Sequence, residues 1–140
     1  MIKYYNSGNF DPIVATDGSA GIDLCANEIT NSGHESTVKT GIHVEIPKGW
    51  VGLLLPRSSW GSQGWTLANT VGVIDSDYRG EIIVKAKRDA TKGWMAIRPG
   101  DRIVQLVVVR CNAAAEKVDS LSDLSVTARG DGGFGSTGGA

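Results

Sequence analysis

Asp75 and Tyr78 stand three residues apart in Asn69-Thr70-Val71-Gly72-Val73-Ile74-Asp75-Ser76-Asp77-Tyr78-Arg79-Gly80-Glu81-Ile82-Ile83. They offer a carboxylate and a flat aromatic face at one corner of the chain. Such a carboxylate suits a general base, and a Tyr ring suits packing on a sugar or heterocycle. Asp and Ser also favour a plain solvated corner through local hydrogen bonds, so spacing alone leaves both readings open. A second group is Pro56-Arg57-Ser58-Ser59. A short helix capped there by Ser58 or Ser59 would present N–H groups, hydroxyls and a guanidinium to an anion. Alone, that string is common on protein surfaces. Gln105 lies in Ile103-Val104-Gln105-Leu106-Val107-Val108-Val109, whose apolar residues on both parities indicate a strand covered on two faces. An amide there needs partners. Asp23 alternates with Ile22, Leu24 and Ala26, which reads as a half-buried strand carrying a carboxylate in a structural role.

Strands and turns must position these groups. Residues 69–83 read as a β-hairpin, an apolar run and a second β-prone run flanking an Asp/Ser turn. The second run alternates, with Ile82, Val84 and Ala86 on one face and Glu81, Ile83 and Lys85 on the other. Gly41 to Ile46 alternates as a strand ended by Pro47-Lys48-Gly49, with His43 on its polar face as a surface residue. Residues 27–40 read as a loop turning at Asn31-Ser32-Gly33, with His34 exposed, and residues 87–93 as a charged loop. Pro99-Gly100 turns the chain into the Gln105 strand, and residues 112–128 form a connecting segment. Short strands between Gly and Pro turns, with almost no helical period, predict an all-β domain. Six of the last eleven residues are Gly, so residues 129–140 read as a flexible tail after a domain spanning 1–128.

With 140 residues the chain fits one compact domain. Fourteen basic against fifteen acidic residues leave a net charge of −1, which offers no long basic face for nucleic acid and favours a small ligand. Cys25 and Cys111 are far apart without metal spacing and are expected to be reduced thiols. His and Cys form no ligand cluster for a tightly held transition metal. The first residues lack the apolar stretch of a signal peptide, and no run approaches a membrane span. The expected location is the cytoplasm, or a host cell's cytoplasm for a viral gene, with no membrane or nucleic-acid partner.

Five stretches in order resemble the motifs of the trimeric dUTP pyrophosphatases (dUTPases). They are Ala20-Gly21-Ile22-Asp23-Leu24, Pro56-Arg57-Ser58-Ser59, Gly72 to Gly80 (Gly-x-Ile-Asp-x-x-Tyr-x-Gly), Gly100-Asp101-Arg102-Ile103-Val104-Gln105 and Arg129 to Gly138. The last, Arg-Gly-x-Gly-Gly-Phe-Gly-Ser-Thr-Gly, is the most specific. The resemblance implies a distorted jelly-roll β-barrel that forms a homotrimer with active sites between subunits, cleaving dUTP to dUMP and pyrophosphate with Mg²⁺. It implies Asp75 as the base, Gln105 holding a water near the α-phosphate, and Arg57, Ser58, Ser59 and Arg129 against the phosphates. Asp23 would reach Mg²⁺ through water, with the ion otherwise held by the phosphates. Asn69, Val73, Ile74 and Ile83 would read the uracil edge, and Tyr78 would pack on the deoxyribose. Phe134 would cover the base, with Gly135, Ser136 and Thr137 closing on the nucleotide. dCTP deaminases share this fold and an Arg-Ser-Ser motif, but place a Glu in the hairpin region and lack the tail. A trimer that only senses dUTP is a third reading.

Overall fold

The computed structural model describes residues 1–93 and 95–133. Alternating apolar residues mark β5 and β9, and apolar residues on both parities mark β10. The described strands are β1 (Lys3–Asn6), β2 (Ile22–Cys25), β3 (Glu28–Ser32), β4 (Glu35–Lys39), β5 (Ile42–Glu45), β6 (Trp50–Pro56), β7 (Trp65–Leu67), β8 (Gly72–Ile74), β9 (Ile83–Arg88) and β10 (Arg102–Arg110). One five-residue helix, α1 (Ser58–Ser62), follows β6.

The strands make an antiparallel sheet in the order β2-β10-β6-β8, a second in the order β3-β4-β9-β7, and a two-stranded β1-β5 pair. One apolar cluster draws on both larger sheets. Leu24, Leu54, Val104 and Leu106 come from the first, and Val38, Leu67, Val84 and Ala86 from the second. Two sheets interleaving their inner faces is the sandwich solution to burying β-structure. The all-β, jelly-roll expectation holds. The alternation read at the start of β9 also holds, since Ile82, Val84 and Ala86 are buried and Ile83 is 44% exposed.

The hairpin expectation does not hold. β8 pairs with β6, Gly72 opposite Leu54 and Ile74 opposite Gly52. β9 instead pairs with β4 and β7. The two arms around Asp75 therefore diverge into different sheets, because each finds its partner far away in sequence. Residues 27–40 are not a loop but the paired strands β3 and β4, turning at Gly33 with φ 63°. Their polar composition hides a half-buried face of Ile29, Ser36 and Val38. The charged segment 87–93 begins as strand, and Arg88 turns into the interior. Neither Ser58 nor Ser59 caps α1; Arg57 holds the N-cap position with no side-chain cap.

Candidate active site

β10 lies between β2 and β6, placing Gln105 opposite Asp23 on one side and Leu55 on the other. This register assembles three of the five motif stretches around one cleft. The cleft holds about 250 Å³ and is lined by Ser19, Gly21, Asp23, Arg57, Ser58 and Gln105, with Ala15 and Ala20 at its margin. Asp23 is buried, and its Oδ2 lies 3.0 Å from Arg57 Nε and 3.4 Å from Arg102 Nη1. Arg57 Nη1 also donates to the Arg102 carbonyl at 3.2 Å. Two guanidiniums around one carboxylate leave a net positive charge beside exposed Ser58, a combination suited to phosphate oxygens.

Gln105 Nε2 donates to the Pro56 carbonyl only at 3.5 Å. That long bond leaves its amide free to hold a water. Gly21 makes room for it, because a Cβ there would lie 2.6 Å from Gln105 Oε1. The sequence signal for Arg102 was present in Gly100-Asp101-Arg102, but no role was drawn from it. Ala15 and Ser19 carry no motif and were missed.

A second cleft of about 150 Å³ opens where β8 and β9 part, lined by Val73, Ile74, Asp75, Tyr78, Glu81, Ile82 and Ile83. β8 is an edge strand, so its outer backbone groups are free to pair. Val73 and Ile83 leave apolar surface exposed at the mouth, 61% and 44% respectively. The turn is tied down at several points. Tyr78 donates its hydroxyl to the Glu81 carbonyl at 2.9 Å. Glu81 Oε1 accepts from Gly41 N–H at 2.8 Å, and His43 Nδ1 lies 2.9 Å from the Arg79 carbonyl. His43 is thus on the polar face as expected, but it steadies this turn. Gly80 must lack a side chain, since a Cβ there would collide with the Tyr78 hydroxyl.

Immediately before β8, Thr70 has φ 67° and Val71 N–H donates to the Asn69 carbonyl at 2.7 Å. This is the positive-φ γ-turn, a strained form, held by a β-branched residue. Strain of this kind concentrates at ligand-contacting segments. Asn69 is exposed beside it but lines neither cleft.

The two clefts do not meet within one chain. Ile74 opposite Gly52 delivers Asp75 at the Val51 end of β6, whereas Arg57 and Ser58 leave from its Pro56 end. From Val51 to Arg57 the chain advances six residues, at roughly 3.3 Å each a separation of about 20 Å. Arg129 lines neither cleft; its Nε donates to the Gly132 carbonyl at 2.8 Å. Ser59 is exposed on α1 and also outside both clefts. Phe134, Gly135, Ser136 and Thr137 lie outside the described residues. A larger cavity of about 530 Å³ between β1, β5 and β2 is lined by apolar groups such as Tyr4, Val14, Trp50 and Val108. Among the described residues that line it there is no Asp, Glu, His, Lys or Arg.

The dUTPase family profile matches residues 10–138. The chain belongs to the dUTPase family. Among its relatives, deoxyuridine 5'-triphosphate nucleotidohydrolase of Rhodococcus erythropolis (strain PR4) is 43% identical, covering 91% of this chain and 79% of that one. The nucleotidohydrolase of the same name from Escherichia phage T5 is 38% identical, over 91% and 90%. The dUTPase of Staphylococcus bacteriophage 80alpha, solved with dUPNHPP, superposes with a TM-score of 0.79 at 25% identity, covering 99% of this chain and 98% of that one. A dUTPase from phage phi11 of S. aureus, described for its coordination of a structural Mg(II) ion, gives 0.73 at 23% identity over 86% and 98%. Within this dUTPase-family fold no described helix is long and apolar enough to cross a membrane.

Proposed function

We propose that the protein hydrolyses dUTP to dUMP and pyrophosphate, as a homotrimer whose sites are shared between subunits. The observation that carries the shared site is the roughly 20 Å of β6 between Asp75 and the Arg57–Ser58 grip. A base and the phosphate it serves must stand within hydrogen-bond reach of one water. One chain cannot supply both to a single nucleotide, so a neighbour's turn brings Asp75 to this chain's phosphate cleft.

In this reading Asp75 takes a proton from the water that attacks the α-phosphorus, while Gln105 orients that water. Negative charge grows on the departing pyrophosphate, where Arg57, Arg129 and the hydroxyls of Ser58 and Ser59 meet it with charge already in place. The free edge of β8 at Val73 and Ile74, the start of β9 at Ile83 and the Asn69 amide pair with the polar edge of uracil. Cytosine reverses that donor pattern and leaves groups unpaired at about 1–3 kcal/mol each. Tyr78, fixed by its hydroxyl bond to Glu81, packs on the deoxyribose. Phe134 covers the base as Gly135, Ser136 and Thr137 close with the tail.

Among the described residues no three His, Cys, Asp or Glu side chains gather as a metal cage. The hard oxygen of Asp23 beside the phosphate cleft fits a Mg²⁺ that arrives with the triphosphate and meets the protein through water. Bound there, the ion would supply positive charge that neutralises the leaving group.

Mixing two disabled variants tests the shared site. Asp75→Asn is expected to keep the fold and lose turnover by about 10²–10⁴, and Arg57→Ala to lose phosphate binding. Co-refolded together, they should regain activity, because some mixed sites then hold both intact residues. No recovery from well-folded mixed trimers would refute the sharing. Assaying pyrophosphate and ammonia release side by side with dUTP and dCTP separates this reaction from deamination, and binding without either product would mark a sensor.

A further inference from the structure

The turn that carries Asp75 and Tyr78 is bonded mostly to itself. Tyr78 N–H donates to the Asp75 carbonyl at 3.1 Å, and the Tyr78 hydroxyl to the Glu81 carbonyl. Arg79 Nη1 donates to the Ser76 and Tyr78 carbonyls at 2.8 and 3.0 Å. Beyond the β6–β8 ladder that ends at Ile74, one hydrogen bond among the described residues ties residues 76–80 to chain outside 75–82. It is the contact of His43 Nδ1 with the Arg79 carbonyl at 2.9 Å.

A carbonyl only accepts, so Nδ1 carries the hydrogen and His43 is the donor. Tyr5, its partner across β1 and β5, lies with its ring centroid 5.7 Å from the imidazole and limits rotation away from Arg79. Arg79 is exposed, and a water would satisfy its carbonyl nearly as well as the imidazole does. The bond therefore contributes position more than stability. What it positions is the Tyr78 ring, which folds back over Gly80, where no Cβ has room, to reach the Glu81 carbonyl. The peptide joining Arg79 to Gly80 is the floor beneath that ring. Farther along, Glu81 Oε1 on Gly41 N–H and Ile82 N–H on the Ile42 carbonyl already dock the chain on the start of β5. His43 extends that docking into the turn itself.

We propose that His43 is a positioning residue that sets selectivity for deoxyribose over ribose. The inference rests on the reading that Tyr78 packs on the sugar. A ring held against C2′ leaves no room for a hydroxyl, whereas a ring whose floor gives way admits one.

The test compares kcat/KM for dUTP and UTP. The native protein should favour dUTP, and His43→Leu, which keeps an apolar contact for Tyr5, should lose about tenfold of that ratio. The change should lie in KM rather than kcat, because the ring meets the sugar and not the reacting phosphate. His43→Asn places an amide N–H where Nδ1–H stood and should restore the ratio. A His43→Leu ratio equal to the native one, or a His43→Asn protein as unselective as His43→Leu, would overturn the role of His43. A native protein that turns over both nucleotides alike would overturn the sugar-packing reading, and this inference with it. Nitrogen-15 NMR of the native protein in mildly alkaline buffer needs neither variant nor turnover. A neutral His43 ring protonated at Nδ1 is expected, and one protonated at Nε2 with a bare Nδ1 would refute the tether.

Discussion

Asp23 Oδ2 lies 3.0 Å from Arg57 Nε while Arg57 Nη1 donates to the Arg102 carbonyl, so the guanidinium beside the cleft is held at two of its three nitrogens. Arg102 Nη1, 3.4 Å from the same oxygen, completes a clamp that fixes Arg57 before any ligand arrives. Asp23→Asn keeps the shape and removes the charge. Stability should fall by roughly 1–3 kcal/mol, the worth of charge-assisted bonds at a mostly buried site, and KM for the nucleotide should rise about tenfold as two unpaired guanidiniums repel. Denaturant titration and steady-state kinetics check both; an unchanged KM would show that Arg57 needs no clamp.

Gly21→Ala tests the space that Gln105 occupies. A methyl there meets the Gln105 side chain at 2.6 Å, too close to tolerate, so the amide has to swing away from the water it would hold. Turnover should drop by about 10–100-fold with KM little altered. A normal kcat would remove Gln105 from any water-positioning role.

Thr70→Gly addresses the strained turn before β8. Relief of a positive φ in a β-branched residue, roughly 1–2 kcal/mol, exceeds the backbone entropy cost of glycine, about 0.5–1 kcal/mol. The variant should be more stable by a few tenths to about 1 kcal/mol, and nucleotide binding should weaken as Asn69 loses its fixed approach. A Tm no higher than the parent's would mean that the surrounding loop, not Thr70, sets the strain.

The two thiols should behave differently. Cys25 is buried and Cys111 exposed, and burial, opposed by Arg102, raises the Cys25 pKa above its ordinary value. Alkylation of the native protein near neutral pH should modify Cys111 alone. Because the folded state holds the Cys25 proton more tightly than the unfolded state, its contribution to stability is complete below the ordinary thiol pKa. It declines as the pH rises through the folded value. Mass-mapped labelling and unfolding from neutral to alkaline pH measure these two effects; fast native labelling of Cys25 would contradict its burial.

Much of this was legible in the sequence for physical reasons. Alternation at Ile82, Val84 and Ala86 reports burial directly, and apolar residues on both parities of β10 report a central strand. What stayed hidden depended on distant partners. β8 and β9 look like hairpin arms because a short turn joins them, yet Leu54 and Val38 claim them for different sheets. The β3–β4 pair hid behind Thr, Asn and Ser, whose polarity resembles a loop although Ile29 and Val38 still point inward. Arg88 gave no warning at all, since a cation at an alternating position normally faces solvent.

The pairing of Asp23 with Gln105 joins residues from opposite ends of the domain. Topologies dominated by such distant contacts close slowly, because the loop entropy is spent before the contacts form. A nascent chain therefore carries no phosphate cleft until β10 has left the ribosome. Until then the future edges of β2 and β6 are open to mispairing, and the protein's dependence on chaperones should be greatest in that interval.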